Sequence, residues 1–368
     1  MTDAVIVAAR RTPTGKREGV LSGVHPADLS AHLLDDLVKT AGVDPSLVED
    51  VIWGCVTQAG EQTGDIARTA ALSAGFPETV TGVTVDRQCG SSQQAVHFAA
   101  AGIVAGQYDI VIAGGVESMS RNPMGSSSMG KNPYGDRFME RYDGVKPNQG
   151  IGAEMIAERW GLTRSQADEL ALESHARAAA ATDSGAFESQ VTPVQTEHGL
   201  ISADEGIRRG GTPEGLGKLS TVFKEDGIVT AGNSSQISDG SAALLMMSGD
   251  RAKELGLTPI ARVHTAVLAG TDPVIMLTAP IPATQKALEK SGLSVDDIGV
   301  FEVNEAFATV PLAWQRELGV AFAKVNPNGG AIAMGHPLGG SGARLMTTMV
   351  HHMQDKGIKY GLQTMCEG

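Results

Sequence analysis

Cys89 sits where a thiol would react. In "TVDRQCGSSQQAVHFAAAGIVAG" (84–106) it falls between an alternating apolar run and a small-residue stretch with helical spacing. If the run is a strand and the stretch a helix, the first N–H groups of the helix and its dipole favour an anion beside the sulfur. A thiol there ionises readily and is a good nucleophile near neutral pH. Gly90 and the serines after it leave room for a carbonyl. The other reading is a buried, inert cysteine. His336, in "NGGAIAMGHPLGGSGARL", lies in a Gly-rich turn before a second helix, with Pro337 suited to the helix start. It could take the thiol proton as general base, or be a solvated loop histidine. The glycines around it could also cradle a phosphate, although the chain has neither G-x-G-x-x-G after a strand nor a P-loop lysine. In "EVNEAFA", Asn304 offers a neutral amide to a water or carbonyl, and Glu305 could orient the histidine loop. Read locally, they are a strand-end cap and an exposed acid at a helix start. Cys366, in "LQTMCEG", is a further thiol after an apolar strand and reads equally well as core.

The elements that must position these side chains follow from periodicity. Short apolar runs ("AVIVAA", "VEDVIWGCV", "DIVIAGGVE", "IGVFEVNEA", "AKVNPNGGA") alternate with helical patterns. That predicts an α/β chain whose mixed or parallel sheets are buried on both faces. Two stretches repeat in kind. "AGVDPSLVEDVIWG" (41–54) matches "SGLSVDDIGVFEVN" (291–304), and the Cys89 turn with its helix matches the His336 turn with its helix. Two similar halves of roughly 115 residues would then be separated by an insertion over about 116–229. The insertion opens with "SMSRNPMGSSSMGKNPYGDRFMERYDGVKPNQG", a loop or lid by composition. A helical stretch follows in which Thr163 and Gln166 form a capping box.

Composition narrows the class. The formal net charge is −13 with no run of Lys or Arg, which argues against nucleic acid and membrane surfaces. An anionic substrate would have to be held by local Arg or Lys. Three cysteines without a CxxC pair point to neither a disulfide framework nor zinc. No apolar run approaches the about 18 residues of a membrane span, and no signal peptide is evident, so a soluble cytoplasmic protein with reduced thiols is expected.

Taken together, "RTPTGK", the Cys89 motif, "TAGNSSQISDGSAALL", "NEAFA", "GHPLGGSGAR" and the final "CEG" resemble the thiolase family, which includes acetyl-CoA acetyltransferases and 3-ketoacyl-CoA thiolases. They occur in family order along the whole chain. The resemblance implies two duplicated α/β halves in five α-β-α-β-α layers with an inserted loop domain: residues 1–115, insertion 116–229, return 230–250, and second half 251–368. It implies thiolysis of a 3-oxoacyl-CoA by CoA, or the reverse Claisen condensation, with CoA and acyl-CoA as substrates and no further cofactor or metal. It makes Cys89 the acylated nucleophile, His336 its activator and Cys366 the second acid/base. Asn304 would hold a water that forms one oxyanion hole with His336; the backbone amides of Cys89 and Gly368 would form the other. Ser235 would lie near pantetheine, Arg208 near the nucleotide, and Met276 and Phe307 in the apolar pocket. Without the resemblance these four read as turn, surface and core residues. A homodimer or homotetramer is expected.

Two positions depart from the pattern. Asn148-Gln149-Gly150 stands where short-chain biosynthetic members often carry His-Met-Gly, which leans towards a degradative, broader or longer-chain member. The family also continues past Cys-x-Gly with more glycines and a final strand, so at Gly368 either the sequence is cut short or the catalytic loop lacks its usual closure. Two other readings compete: a noncatalytic thiolase-fold protein that binds acyl-CoA, and a decarboxylating ketoacyl synthase. The latter usually carries a Cys-His-His set, whereas Asn304 and Cys366 take those roles here.

Overall fold

The structure, a computed structural model, describes residues 2–367. Its main strands are β1 (Ala4–Arg11), β2 (Asp50–Gly54), β3 (Thr81–Val85), β4 (Ile110–Ser118), β5 (Ser238–Ser248), β6 (Ala261–Arg262), β7 (Val300–Val303) and β8 (Gly361–Thr364). Among the described residues, seven strands form one sheet in the order β3-β2-β4-β5-β1-β6, with Gly15–Lys16 added to β5. β2 runs parallel to β3 and β4, whereas β5 is antiparallel to β4 and β1. β7 and β8 form a separate parallel pair.

The helices that matter here are α1 (Pro26–Ala41), α2 (Ile66–Ser73), α3 (Ser91–Ala105), α4 (Gln149–Trp160), α5 (Arg164–Asp183), α6 (Pro280–Ser291), α7 (Thr309–Leu318) and α8 (Leu338–Lys356). Side chains alternate across the large sheet. Val51, Trp53, Leu245 and Met247 face α1 and α2, whereas Ile52, Leu244 and Met246 face α3 and α8. Both faces are covered, so these strands read as unbroken apolar runs. α3 and α8 lie side by side between this sheet and the β7/β8 pair. On the far side of that pair, Phe301 and Val303 pack against Trp314 of α7 and Ile281 and Leu288 of α6. The result is the layering helix–sheet–helix–sheet–helix.

Glycine makes the central layer possible. A Cβ on Gly339 would fall 2.6 Å from Cys55 Cα and from the Val116 carbonyl oxygen. One on Gly342 would strike the Gln93 backbone, and one on Gly54 the Ser92 amide. The Gly-rich stretch after His336 is therefore a surface for backbone contact between α8, α3 and the sheet, which accounts for it without a phosphate.

"AKVNPNGGA" differs from expectation. Val325 makes only an isolated bridge to Phe301. The next residue, Asn326, adopts a left-handed conformation (φ 45°), and its side chain hydrogen-bonds the N–H and C=O of Val303, each at 2.8 Å. A side chain replaces the ladder there. In the insertion, Thr163 and Gln166 form the expected capping box of α5. Asn148 caps α4 by accepting from the Ile151 N–H. No helix of the described residues is long and apolar enough to cross a membrane.

Candidate active site

Cys89 lies in the turn between β3 and α3, as its flanking patterns predict. The turn is built from its own residues. Gly90 N–H donates to the Arg87 carbonyl at 3.0 Å. Ser91 Oγ accepts from Arg87 N–H at 2.9 Å and donates to the Gln88 carbonyl at 2.6 Å. Gln88 is held at φ 46°, a region that L side chains rarely adopt. The thiol is buried with Met119, Leu338, Leu345 and Met365, and Val56 packs against this cluster. Leu338 is two residues from His336, and Met365 precedes Cys366. The Glu367 carboxyl group lies against Gly90. Three distant stretches thus meet at one sulfur.

His336 is buried, not solvated. Its N–H is held by Ser238 Oγ at 3.1 Å and the Gln236 carbonyl at 3.3 Å. Nδ1 lies 2.5 Å from Ser341 Oγ, and that hydroxyl lies 2.9 Å from the Pro337 carbonyl. The single hydroxyl hydrogen goes to Pro337, so Nδ1–H donates to Ser341 and Nε2 carries the lone pair. Asn304 Nδ2 stands 3.3 Å from Nε2, as a donor should. Burial, helped by the charge of Arg344, depresses the imidazole pKa to about 3. The ring is neutral, with its basic nitrogen turned into the site.

The Asn304 side chain also hydrogen-bonds the Cys366 thiol, so one amide joins His336 to the second sulfur. Burial raises the Cys366 pKa to about 12, against the hydrogen bonds from Asn304 and the Ala306 backbone. At neutral pH Cys366 is a proton donor. Asn304 Oδ1 is buried with no hydrogen-bond partner among the described residues. Cys55 is fully buried, and desolvation, then the charges of Glu117 and Asp86, push its thiol pKa up. It is an inert core residue.

Glu305 is buried rather than exposed. It accepts from Ser174 Oγ at 2.7 Å, Asn326 Nδ2 at 2.9 Å and Ile332 N–H at 3.2 Å, and so holds the segment that leads to His336. Phe307 and Met276 share an apolar cluster with Cys366. The Ser235 N–H bonds the Ala306 carbonyl at 2.9 Å, which sets that serine beside the same segment. Arg208 stands apart, lining a cavity of about 230 Å3 with His175 and Arg209. Gly368 lies outside the described residues. Ser341, Ser238 and Gln236 were not singled out from the sequence. Ser341 had a signal in its place five residues after His336, on the first turn of the next helix. Ser238 and Gln236 had none. Among the described residues no group of three His, Cys, Asp or Glu side chains is placed to hold a metal.

A neutral imidazole with an unprotonated nitrogen, a thiol kept protonated and a buried thiol at a helix start make a set suited to acyl transfer through a thioester. Comparison with known proteins agrees. Residues 4–250 match the family described as thiolase, N-terminal domain, and residues 257–368 match thiolase, C-terminal domain. The chain is 48% identical over 376 residues to a steroid 3-ketoacyl-CoA thiolase of Mycobacterium tuberculosis, covering all of this chain and 92% of that protein. It is 45% identical over 379 residues to a 3-ketoacyl-CoA thiolase of Photobacterium profundum, covering all of this chain and 97% of that one. The crystal structure of a Bacillus anthracis acetyl-CoA acetyltransferase superposes with a TM-score of 0.91 at 40% identity, over all of this chain and 96% of the other. With both domains matched in order and the five-layer fold shared, the chain belongs to the thiolase family.

Proposed function

We propose that this thiolase carries its acyl group on Cys89 and cleaves a 3-oxoacyl-CoA with CoA, or runs the reverse condensation. The observation that carries the reading is the unprotonated Nε2 of a buried, neutral His336, joined through Asn304 to Cys366 beside the Cys89 cluster. The Cys89 S–H proton passes to His336 Nε2 and the sulfur attacks the C3 carbonyl. The C2–C3 bond breaks, and the departing acetyl-CoA enolate takes the Cys366 proton. The incoming CoA thiol returns a proton to Cys366 and attacks the acyl-cysteine; Cys89 leaves with the proton held on His336. A thiol with a pKa near 12 suits this exchange, because the thioester α-carbon is itself a weak acid. Asn304 Oδ1, an acceptor without a partner among the described residues, supports a water-mediated oxyanion site with His336. Backbone N–H groups of Cys89 and Gly368 would form the second.

Met276 and Phe307 would line the acyl side, Ser235 the pantetheine side and Arg208 the nucleotide side. No resident cofactor or metal is invoked. Asn148, a helix cap, cannot play the part of the family histidine, which favours a degradative or longer-chain substrate; the relatives named as 3-ketoacyl-CoA thiolases lean the same way. A cytoplasmic homodimer or homotetramer is proposed with it, supported by the exposed outer edge of β3, where Val83 is 45% exposed. The two-half organisation with an insertion at 116–229 belongs to the same reading.

The test is mass spectrometry after mixing with a 3-oxoacyl-CoA in the absence of CoA, which should show one acyl group on Cys89. In Cys89→Ala that adduct should vanish and turnover should fall by about four orders of magnitude. Turnover close to wild type in this variant would rule the reading out.

A further inference from the structure

Glu117 is a carboxylate with no exposed surface at the end of β4, and acyl transfer as described makes no use of it. Four donors surround it. Oε2 accepts from Val56 N–H at 2.9 Å and Gly339 N–H at 2.9 Å. Oε1 accepts from Thr57 N–H at 3.0 Å and Gln62 Nε2 at 2.8 Å. Gln62 is locked in turn, since its Oε1 accepts from Ser118 N–H at 2.7 Å and its Nε2 also reaches the Thr57 carbonyl at 2.8 Å. A protonated carboxyl would point its hydrogen at a donor whichever oxygen carried it, so the group is ionised. Burial raises its pKa, opposed by the four donors. An apolar side chain would fill the space but would leave three backbone N–H groups unpaired.

Two of the partners of Glu117, Val56 and Gly339, tie it to the walls of the Cys89 cluster. Val56 packs on the Cys89 cluster, Met119 two residues beyond Glu117 is a wall of it, and Leu338 beside Gly339 is another. Gly339 is also three residues from His336, at the start of the same helix. One anion therefore fastens the loop after β2, the end of β4 and the first turn of α8 to a single point.

We propose that Glu117 is a positioning residue for acyl transfer, fixing the span between the Cys89 pocket and the helix that begins two residues after His336. The proposal rests on Cys89 being the nucleophile. A buried charge suits this task because a carboxylate accepts four hydrogen bonds, whereas an amide accepts two and turns two N–H groups towards donors.

The experiment compares Glu117→Gln and Glu117→Asp with wild type in two readouts: steady-state thiolysis of a 3-oxoacyl-CoA, and the rate at which iodoacetamide alkylates Cys89, followed by peptide mass spectrometry. In folded Glu117→Gln, kcat should fall about 10- to 100-fold while KM changes less than about threefold, because a small displacement of the reacting groups costs rate rather than binding. Alkylation of Cys89 should slow in parallel, and Glu117→Asp should recover part of both losses. Wild-type kcat and alkylation in folded Glu117→Gln would overturn the proposal. So would a loss of activity that only tracks the folded fraction, with alkylation per folded molecule unchanged. If Glu117→Gln does not fold, Gln62→Met decides the matter: removing one donor should lower kcat at least about threefold with slower alkylation, and no change would overturn the proposal. Alkylation reports the pocket without turnover, so a failure of the Cys89 reading, seen as activity in Cys89→Ala, is distinguishable from a failure here.

Discussion

The two turns that carry the reactive side chains are built in opposite ways. The Cys89 turn holds itself together: Ser91 bridges Gln88 and Arg87, Gly90 closes on Arg87, and all the strain falls on Gln88. The His336 turn is held by the rest of the molecule. Glu305 grips Ile332, Gln236 bonds the Ile332 and Ala333 carbonyls, Ser238 holds the His336 amide, and Ser341 fixes the ring. Each leads into a small-residue helix, and the two helices lie together in the central layer. The backbone of the Cys89 turn is set mainly by its own residues, although distant segments wall the thiol. The base needs one nitrogen aimed and one proton parked, which takes partners from several segments.

Substitutions at the turns should expose this difference. The largest effect is expected at Gly335, held at φ 91°, where a Cβ would strike Ser238 Oγ and come 2.8 Å from Thr14 Cγ2. Gly335→Ala should cost about 100-fold in kcat and lower the melting temperature by several degrees, read by thiolysis kinetics and calorimetry. A wild-type kcat would mean that the imidazole is not held from outside. Ser341→Ala comes next. Without its acceptor the Nδ1–H tautomer loses its lock, and kcat should drop about tenfold or more with KM nearly unchanged.

The wild-type pH profile sharpens the same point. With His336 depressed to about 3 by burial and then by Arg344, kcat/KM should show no acid limb at the ordinary 6.5. An apparent pKa of 6.5 that disappears in His336 variants would refute the buried neutral base. By linkage, the unfolded chain binds this proton below 6.5 and the native chain does not, so the contribution of His336 to stability is lost as pH falls from 6.5 towards 3. Urea melts at stepped pH measure it. The smallest effect is expected at the self-built turn. Gln88→Gly should relieve about 1 kcal/mol of backbone strain, partly offset by glycine's greater chain entropy, and change kcat less than about threefold.

This contrast also explains what could be read in advance. The Cys89 junction was legible from twenty-odd consecutive residues because its determinants are consecutive. His336, Asn304 and Cys366 were legible only through the order of motifs, since nothing near Asn304 in the chain shows that its amide will lie between an imidazole 32 residues away and a distant thiol. Glu305 was half legible: its link to the histidine loop was foreseen, its burial was not. The glycines after His336 had two readings until their backbone neighbours were visible. The strand expected in "AKVNPNGGA" (323–331) did not form because Asn326 competes for the Val303 backbone with its own side chain. A short apolar run carries no sign of such a rival.

The glycine seam has a consequence for how this protein can change. Gly54, Gly115, Gly339 and Gly342 bring main chain against main chain where the sulfur and the imidazole are mounted, and any added methyl group there meets backbone. If Met276 lines the acyl side as proposed, new acyl preferences arise at the rim, where Tyr134, Phe138 and Pro147 share a cavity with it, while the hub stays frozen. Diversity in such a molecule accumulates as a halo around a fixed reaction centre.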